Sequence, residues 1–221
     1  MSTLLRKKKA AIFDLDGTLL DSVGVWHEVD RVFLSRRGIA LTDDYIQAIA
    51  HMDFPRAAVY TKNRFSLCED EASIMAEWRS LAIDAYAYHV PLKPYAAEYL
   101  ASLHRRGIPI AAATASQSEF YLPALKRLDI LRYFSSITET AEVVRGKGFP
   151  DVYLRAAEKL SAPVEDCAVF EDIVPGIRGA ADGGFYTVGV YDPHNPQRDL
   201  FECLCDRCIY SYSELLQHDI F

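Results

Sequence analysis

No apolar run in the 221 residues approaches the roughly 18 to 20 uninterrupted residues that cross a bilayer, so membrane spanning is excluded. Positive charge is in deficit: 24 Lys plus Arg stand against 31 Asp plus Glu, a formal net charge of −7. Such a balance gives no electrostatic footprint for DNA or RNA, and any phosphate the protein binds must be held by a local site. Arg6, Lys7, Lys8 and Lys9 are followed by only a short apolar stretch before Asp14, without the apolar core and small-residue cleavage site of a secretory leader. A cytoplasmic location is expected. Cysteine is sparse and odd in number, five in all, which suits a reducing compartment better than a disulfide framework. Internal repeats and low-complexity tracts are missing too. What remains, at 50% hydrophobic and 25% charged, is an ordinary globular composition, long enough for one large domain or a domain with a sizeable insertion.

Clean alternation of apolar and polar residues is scarce as well. Short apolar runs at 10–13, 108–113, 135–138, 167–170, 186–191 and 208–212 end in polar or glycine-containing punctuation. Runs of this kind are strands buried on both faces of a parallel sheet. Helical candidates lie at 96–106, 119–128, 150–160 and 176–183. The alternation of strand and helix predicts an α/β fold with a doubly wound, Rossmann-like parallel sheet. Residues 22–89 break the rhythm, with helical periodicity and almost no strand signal, and are read as an inserted helical domain; 1–21 and 90–221 then form the core. Within the insertion Val25, Val29, Val32 and Phe33 recur at helix spacing, and Thr42, Asp43 and Asp53 suit helix N-caps. Pro91-Leu92-Lys93-Pro94 reads as a stiff, extended hinge segment.

Four groups of chemistry-bearing residues fall at strand ends. The first strand runs into Asp14-Leu15-Asp16-Gly17-Thr18, two carboxylates at i and i+2 beyond a carboxyl end, where open parallel sheets bind ligands. A turn cap is the plainer explanation of such a pair. The second strand ends in Thr114-Ala115-Ser116, a hydroxyl and successive backbone N–H groups opening a helix, which suits phosphate or, more simply, an N-cap. Lys147 lies between Gly146 and Gly148, a flexible frame that lets a cation reach inward, although most lone lysines are surface residues. The fourth strand delivers Glu171-Asp172, with Gly176 following; adjacent acids off a buried strand suit a hard metal ion.

Together these motifs resemble the haloacid dehalogenase-like phosphohydrolases, over essentially the whole chain, in the branch that includes beta-phosphoglucomutases and phosphoglycolate phosphatases with a helical cap. The usual Lys-Pro-x-Pro is here Lys147-Gly148-Phe149-Pro150. The resemblance implies an Mg²⁺-dependent phosphatase of small phosphate monoesters, of the sugar-phosphate or phosphoglycolate type, with residues 22–89 as the cap. It implies Asp14 as the nucleophile that forms an aspartyl-phosphate and Asp16 as acid and base. The Asp14 and Asp172 carboxylates and the Asp16 backbone carbonyl would hold Mg²⁺, supported by Glu171; Thr114, Ala115, Ser116 and Lys147 would hold phosphate. A phosphosugar mutase is the alternative, because a phosphoryl group on Asp14 can return to a sugar. The dehalogenase branch lacks the second acid, and a phosphoacceptor signalling domain lacks both the insertion and Asp-x-Asp-Gly-Thr.

Three further features complete the reading. Arg56, behind Asp53 and Pro55 at a helix start, either contacts an anionic or polyhydroxyl substrate or makes only an i, i+3 pair with Asp53. Cys203, Cys205 and Cys208, with His194 and His218 nearby, lack the paired-knuckle spacing of a zinc site and are expected to be buried free thiols. Tyr86, Tyr88 and Tyr95 are expected to pack in a core or an interface. The expected partner is a small phosphate ester, with no nucleic acid or membrane, and the chain is expected to act as a monomer.

Overall fold

In a computed structural model that describes residues 7–49, 52–192 and 198–221, the apolar runs are strands: β1 (Ala10–Phe13), β2 (Ile110–Thr114), β3 (Ser136–Glu139), β4 (Cys167–Glu171), β5 (Tyr186–Val190) and β6 (Arg207–Ile209). They make one six-stranded sheet of order β3-β2-β1-β4-β5-β6, every neighbouring pair parallel. Every residue of β1, β2 and β4 is buried, whereas the edge strands β3 and β6 are only partly so. This explains why the central strands carry continuous apolar sequence: neither face sees water. On one face Ile12, Ala113 and Val169 pack against Val152, Tyr153, Ala156 and Ala180. On the other, Phe13 stacks on its register partner Phe170 with ring centroids 4.2 Å apart, and Tyr99 and Tyr212 close over them.

The strands are joined through helices, which within this unit are α5 (Ala96–Arg105), α6 (Ser118–Arg127), α7 (Asp151–Lys159), α8 (Val174–Asp182), α9 (Arg198–Leu204) and α10 (Ser213–Gln217). The last strand is shorter than its sequence suggests. Beyond Ile209, the backbone N–H groups of Tyr210 and Ser211 donate to the Glu214 carboxylate at 2.7 and 3.0 Å, which turns the chain into α10 and ends the ladder. The segment around Leu92 is extended, as its prolines dictate, and it pairs with the chain after β1: Asp21 N–H donates to Pro91 and Lys93 N–H to Leu19, each at 2.9 Å.

Residues 24–90 form a separate compact unit, and residues 1–23 with 91–221 form the other. The smaller unit is helical: α1 (Val25–Ser35), α2 (Asp43–Ile49), α3 (Phe54–Phe65) and α4 (Glu71–Tyr88). Val25, Val29 and Phe33 line one side of α1, and Ile74, Trp78, Ala82 and Tyr86 recur every four residues along α4. That spacing puts each set on a single buried stripe. Asp53 caps α3, accepting from the Arg56 N–H at 3.0 Å, while Asp43 is the first residue of α2 rather than its cap. Tyr86 is buried; Tyr88 and Tyr95 are exposed, contrary to the packing expected of them.

Candidate active site

The β1–β4 register fixes the site. Phe13 lies opposite Phe170, and Asp14 N–H donates to the Phe170 carbonyl at 2.9 Å, so Asp14 and Glu171 leave the sheet side by side at its carboxyl edge. Thr114, the last residue of the neighbouring β2, reaches the same edge. One carboxylate oxygen each from Asp14, Glu171 and Asp172 lie within 4.8 Å of one another, and all three residues are buried.

Among the described residues one cation answers these acids. The Lys147 ammonium, with 8% of its side chain exposed, donates to Asp14 and, at 2.7 Å, to Glu171 Oε1. The frame that carries it is not loose. Phe149 N–H bonds the Gly146 carbonyl at 2.9 Å, and the Lys147 backbone lies so close to Gly179 of α8 that a Cβ there would come within 2.2 Å of the Lys147 carbonyl oxygen. A Cβ on either glycine flanking Lys147 would meet nothing within 4 Å, so it is Gly179 of α8, and not those two, that lets the loop seat.

Hydroxyls order the acids further. The Tyr153 hydroxyl, on α7, donates to Glu171 Oε1 at 2.8 Å, and Thr18 Oγ1 sits 3.0 Å from Asp172 and 3.2 Å from Asp14. The Asp16 carboxylate stands apart from the three-acid cluster and accepts from Ser22 Oγ at 2.6 Å. Gly17, at φ +80°, makes the turn between the acids; a Cβ there would lie 2.1 Å from an Asp172 oxygen. Gly176 does the same for Glu171, which a Cβ would approach to 2.4 Å. Both positions need glycine because the backbone must pass against a carboxylate.

The charge balance is unfavourable without a further cation. Burial, opposed by Lys147 and reinforced by Glu171, Asp172 and Asp16, holds the Asp14 carboxyl well above the ordinary carboxylate range. Burial and Glu171 raise Asp172 to about 7, with Lys147 and the Thr18 hydrogen bond pulling the other way. Burial alone would lower Lys147, yet Asp14 and Glu171 outweigh it and hold its pKa above that of free lysine. Glu171 Oε2 is buried with no hydrogen-bond partner among the described residues. Three converging hard oxygen donors, excess negative charge and an orphaned carboxylate oxygen are what a small divalent cation requires.

Thr114 is fully buried and its Oγ1 accepts from Ser116 N–H at 3.0 Å; Ala115 is exposed and Ser116 half-buried. The helix opens at Ser118, one residue before the start expected from the sequence, with Gln117 as cap, and the Thr114 hydroxyl bonds within the bend ahead of it. Arg56 belongs to the helical unit, is exposed, and lies 3.8 Å from Asp53. That unit holds a cavity of its own of about 490 Å³, lined by Trp26, Asp30, Phe54 and Trp78 among others. The free cysteines are not uniformly buried: Cys203 is exposed and Cys205 and Cys208 are half-buried, at the rim of a small cluster around Phe201. His194 lies outside the described residues, and no metal-ligating group of three includes a cysteine among those that are described.

Thr18, Ser22 and Tyr153 are partners that sequence reasoning did not single out. Thr18 and Ser22 sit inside the motif of Asp14, where alternation could have placed them. Tyr153 shares the apolar face of α7 with Val152, Ala156 and Ala157, so nothing marks its hydroxyl as engaged.

The sequence profile of the family described as hydrolase, haloacid dehalogenase-like hydrolase, matches residues 8–184. The chain belongs to the haloacid dehalogenase-like hydrolases. This hydrolase is 29% identical to hexitol phosphatase A of Escherichia coli strain K12 over 195 residues, 86% of each chain. It is 25% identical to a phosphorylated carbohydrates phosphatase of Thermotoga maritima, over 88% of this chain and 90% of that one. A Thermotoga maritima crystal structure provisionally assigned as a beta-phosphoglucomutase superimposes with a TM-score of 0.85 at 24% identity, covering 95% of this chain and 97% of the other. That likeness shows the fold alone. The named relatives aligned along most of their length support an enzyme of phosphoric monoester hydrolysis, and they do not favour the mutase alternative. Among the described residues no helix is long and apolar enough to cross a membrane.

Proposed function

We propose that the protein is an Mg²⁺-dependent phosphatase that hydrolyses small phosphate monoesters of the sugar-phosphate class through an aspartyl-phosphate on Asp14. The observation that carries this reading is the buried Asp14 carboxylate, held between Lys147 and Thr18 beside two further acids at the sheet edge. Asp14 and Asp172, with the Asp16 backbone carbonyl and support from Glu171, would hold Mg²⁺; when bound, the ion offsets the charge of the carboxylates and of the substrate phosphate.

The chain's own groups then divide the work. An Asp14 oxygen attacks phosphorus, and the ester oxygen leaves with a proton from Asp16. Asp16 next takes a proton from water, which attacks the phosphorus of the aspartyl-phosphate and releases inorganic phosphate and free Asp14. Lys147 holds charge developing on the transferring group, and the Thr114 hydroxyl with the N–H groups of Ala115 and Ser116 orients phosphate oxygens. In this reading residues 22–89 are the helical cap and contribute to the choice of substrate.

A panel of small phosphate esters tests the reading. Free phosphate should appear with Mg²⁺ and cease with a chelator, and sugar phosphates should be turned over best. Turnover that persists in excess chelator contradicts the metal assignment; absence of phosphate release from every ester contradicts the reaction. Asp16→Asn should slow a sugar phosphate by about 10²–10⁴-fold, the span of general acid–base catalysis, and an aryl phosphate far less, because a phenolate leaves without help. Equal losses would remove Asp16 from the acid role. Arg56 serves selectivity in this scheme: Arg56→Ala should raise KM several-fold for the preferred sugar phosphate and leave a generic aryl phosphate unchanged, a split that initial-rate kinetics resolve.

A further inference from the structure

The turn from α9 into β6 brings two cysteines to one point on β5. In Cys205-Asp206-Arg207-Cys208 both cysteines border Gly189 of β5, Cys205 through its sulfur and Cys208 as the register partner of that glycine, and both pack on the Phe201 cluster, half-buried and free. The turn is clamped rather than mobile. The Asp206 carboxylate accepts from Thr187 N–H at 2.7 Å and from Thr187 Oγ1 at 2.9 Å, and Asp206 N–H returns a bond to Thr187 Oγ1 at 3.0 Å. On the inner side Cys205 Sγ rests against Gly189 of β5, where a Cβ would come within 2.9 Å of the sulfur. Glycine at 189 leaves the room beside β5 that the Cys205 sulfur and the Phe201 ring occupy.

We propose that Cys205 and Cys208 form a thiol–disulfide site, a dithiol that a small disulfide of the glutathione class converts into an intramolecular disulfide. The clamp on Asp206 fixes both cysteines beside Gly189, a placement from which a mixed disulfide on one can be resolved by the other within the chain. The order of attack follows from the surroundings. The hydrogen bond from Cys208, opposed by burial and aided by the backbone N–H groups of Gly189 and Cys205, holds the Cys205 thiol down to about 7. Cys208 is pushed the other way by the same contact and by burial. Cys205 is therefore the more readily ionised of the two and the attacking sulfur, and Cys208 the resolving thiol.

The exchange balances in two steps. The Cys205 thiolate attacks one sulfur of glutathione disulfide, the S–S bond breaks, and glutathione leaves as a thiolate that takes up a proton. Cys208 then gives its proton to solvent and attacks the Cys205 sulfur, and the second glutathione leaves in the same way. Two protein thiols are oxidised, and one glutathione disulfide is reduced to two glutathiones. None of the groups assigned to phosphoryl transfer takes part, so the site stands or falls apart from the phosphatase reading.

The test is thiol counting and peptide mapping on the folded full-length chain. After incubation with glutathione disulfide and alkylation of the remaining thiols, reactive thiols should fall by two from the five free cysteines, with Cys205 joined to Cys208. Dithiothreitol should restore them. Cys208→Ser should halt at a stable glutathione adduct on Cys205, whereas Cys203→Ser should leave the yield of the internal disulfide unchanged. Glutathione found only on the exposed Cys68 or Cys203, or a joined pair that includes Cys203, overturns the proposal. So does full retention of the Cys205 and Cys208 thiols at every glutathione ratio.

Discussion

Replacing Asp14 by Asn should lower phosphate release by at least about 10³-fold while leaving the melting temperature at or above that of the parent protein. The size follows from the role: losing a covalent nucleophile removes the two-step route itself rather than one contact along it. The retained fold follows from the surroundings. Asn has nearly the shape of Asp, its amide can still meet Thr18, and it removes one of three carboxylates where burial, reinforced by the neighbouring acids, already holds the Asp14 carboxyl above its usual range. Phosphate release together with a thermal melt reads both outcomes. Activity above a few per cent of the parent's, in a variant confirmed by mass, would take the nucleophile's role away from Asp14.

The second large effect is expected at Lys147. Lys147→Met keeps a long, unbranched side chain but strips the ammonium that pairs with Asp14 and Glu171. Turnover should drop by about 10²–10³-fold, the range seen when one preorganised electrostatic partner of a transition state is removed. The variant should also bind substrate more weakly, because the remaining charges on the site are carboxylates facing a phosphate dianion. A loss confined to KM, with kcat unchanged, would make Lys147 a ground-state binder rather than a group that acts on the transferring phosphoryl. A Lys147→Arg control separates charge from shape. The loop backbone seats against Gly179, and a guanidinium projecting from that fixed loop meets two carboxylates placed for an ammonium, so rescue should be partial at best.

The parts of the fold that were legible before the structure are those where sequence and burial have one cause. Residues 10–13 and 167–170 read as strands because both faces of the sheet centre are covered, and apolar side chains at every position have no other stable place. Asp14, Glu171 and Asp172 were legible because acids that follow such runs are carried to one edge by the parallel register. Other features depend on single long-range contacts that leave no periodic trace. The Glu214 side chain, reaching back to two backbone N–H groups, decides where β6 ends. The glycines around Lys147 suggested a loose loop, yet it is Gly179, more than thirty positions away, that allows the loop to be held. Tyr153 looks like an ordinary member of an apolar helix face until its hydroxyl is seen on Glu171. Tyr212 is similar: fully buried on the aromatic layer, it donates to the Thr18 carbonyl at 3.2 Å and so supports the first motif from the far end of the chain.

The most direct test of the proposed chemistry is to look for the phosphoryl group on the protein. Enzyme, Mg²⁺ and a sugar phosphate carrying radiolabelled phosphorus are mixed for less than one turnover, quenched in acid, and mapped by peptide. Label should appear on the peptide containing Asp14, stable in acid and labile to base and hydroxylamine as an acyl phosphate is, and it should decay to inorganic phosphate no more slowly than steady-state turnover. Asp14→Asn should carry none. Phosphate released at the normal rate while no labelled Asp14 forms at any quench time would contradict the account.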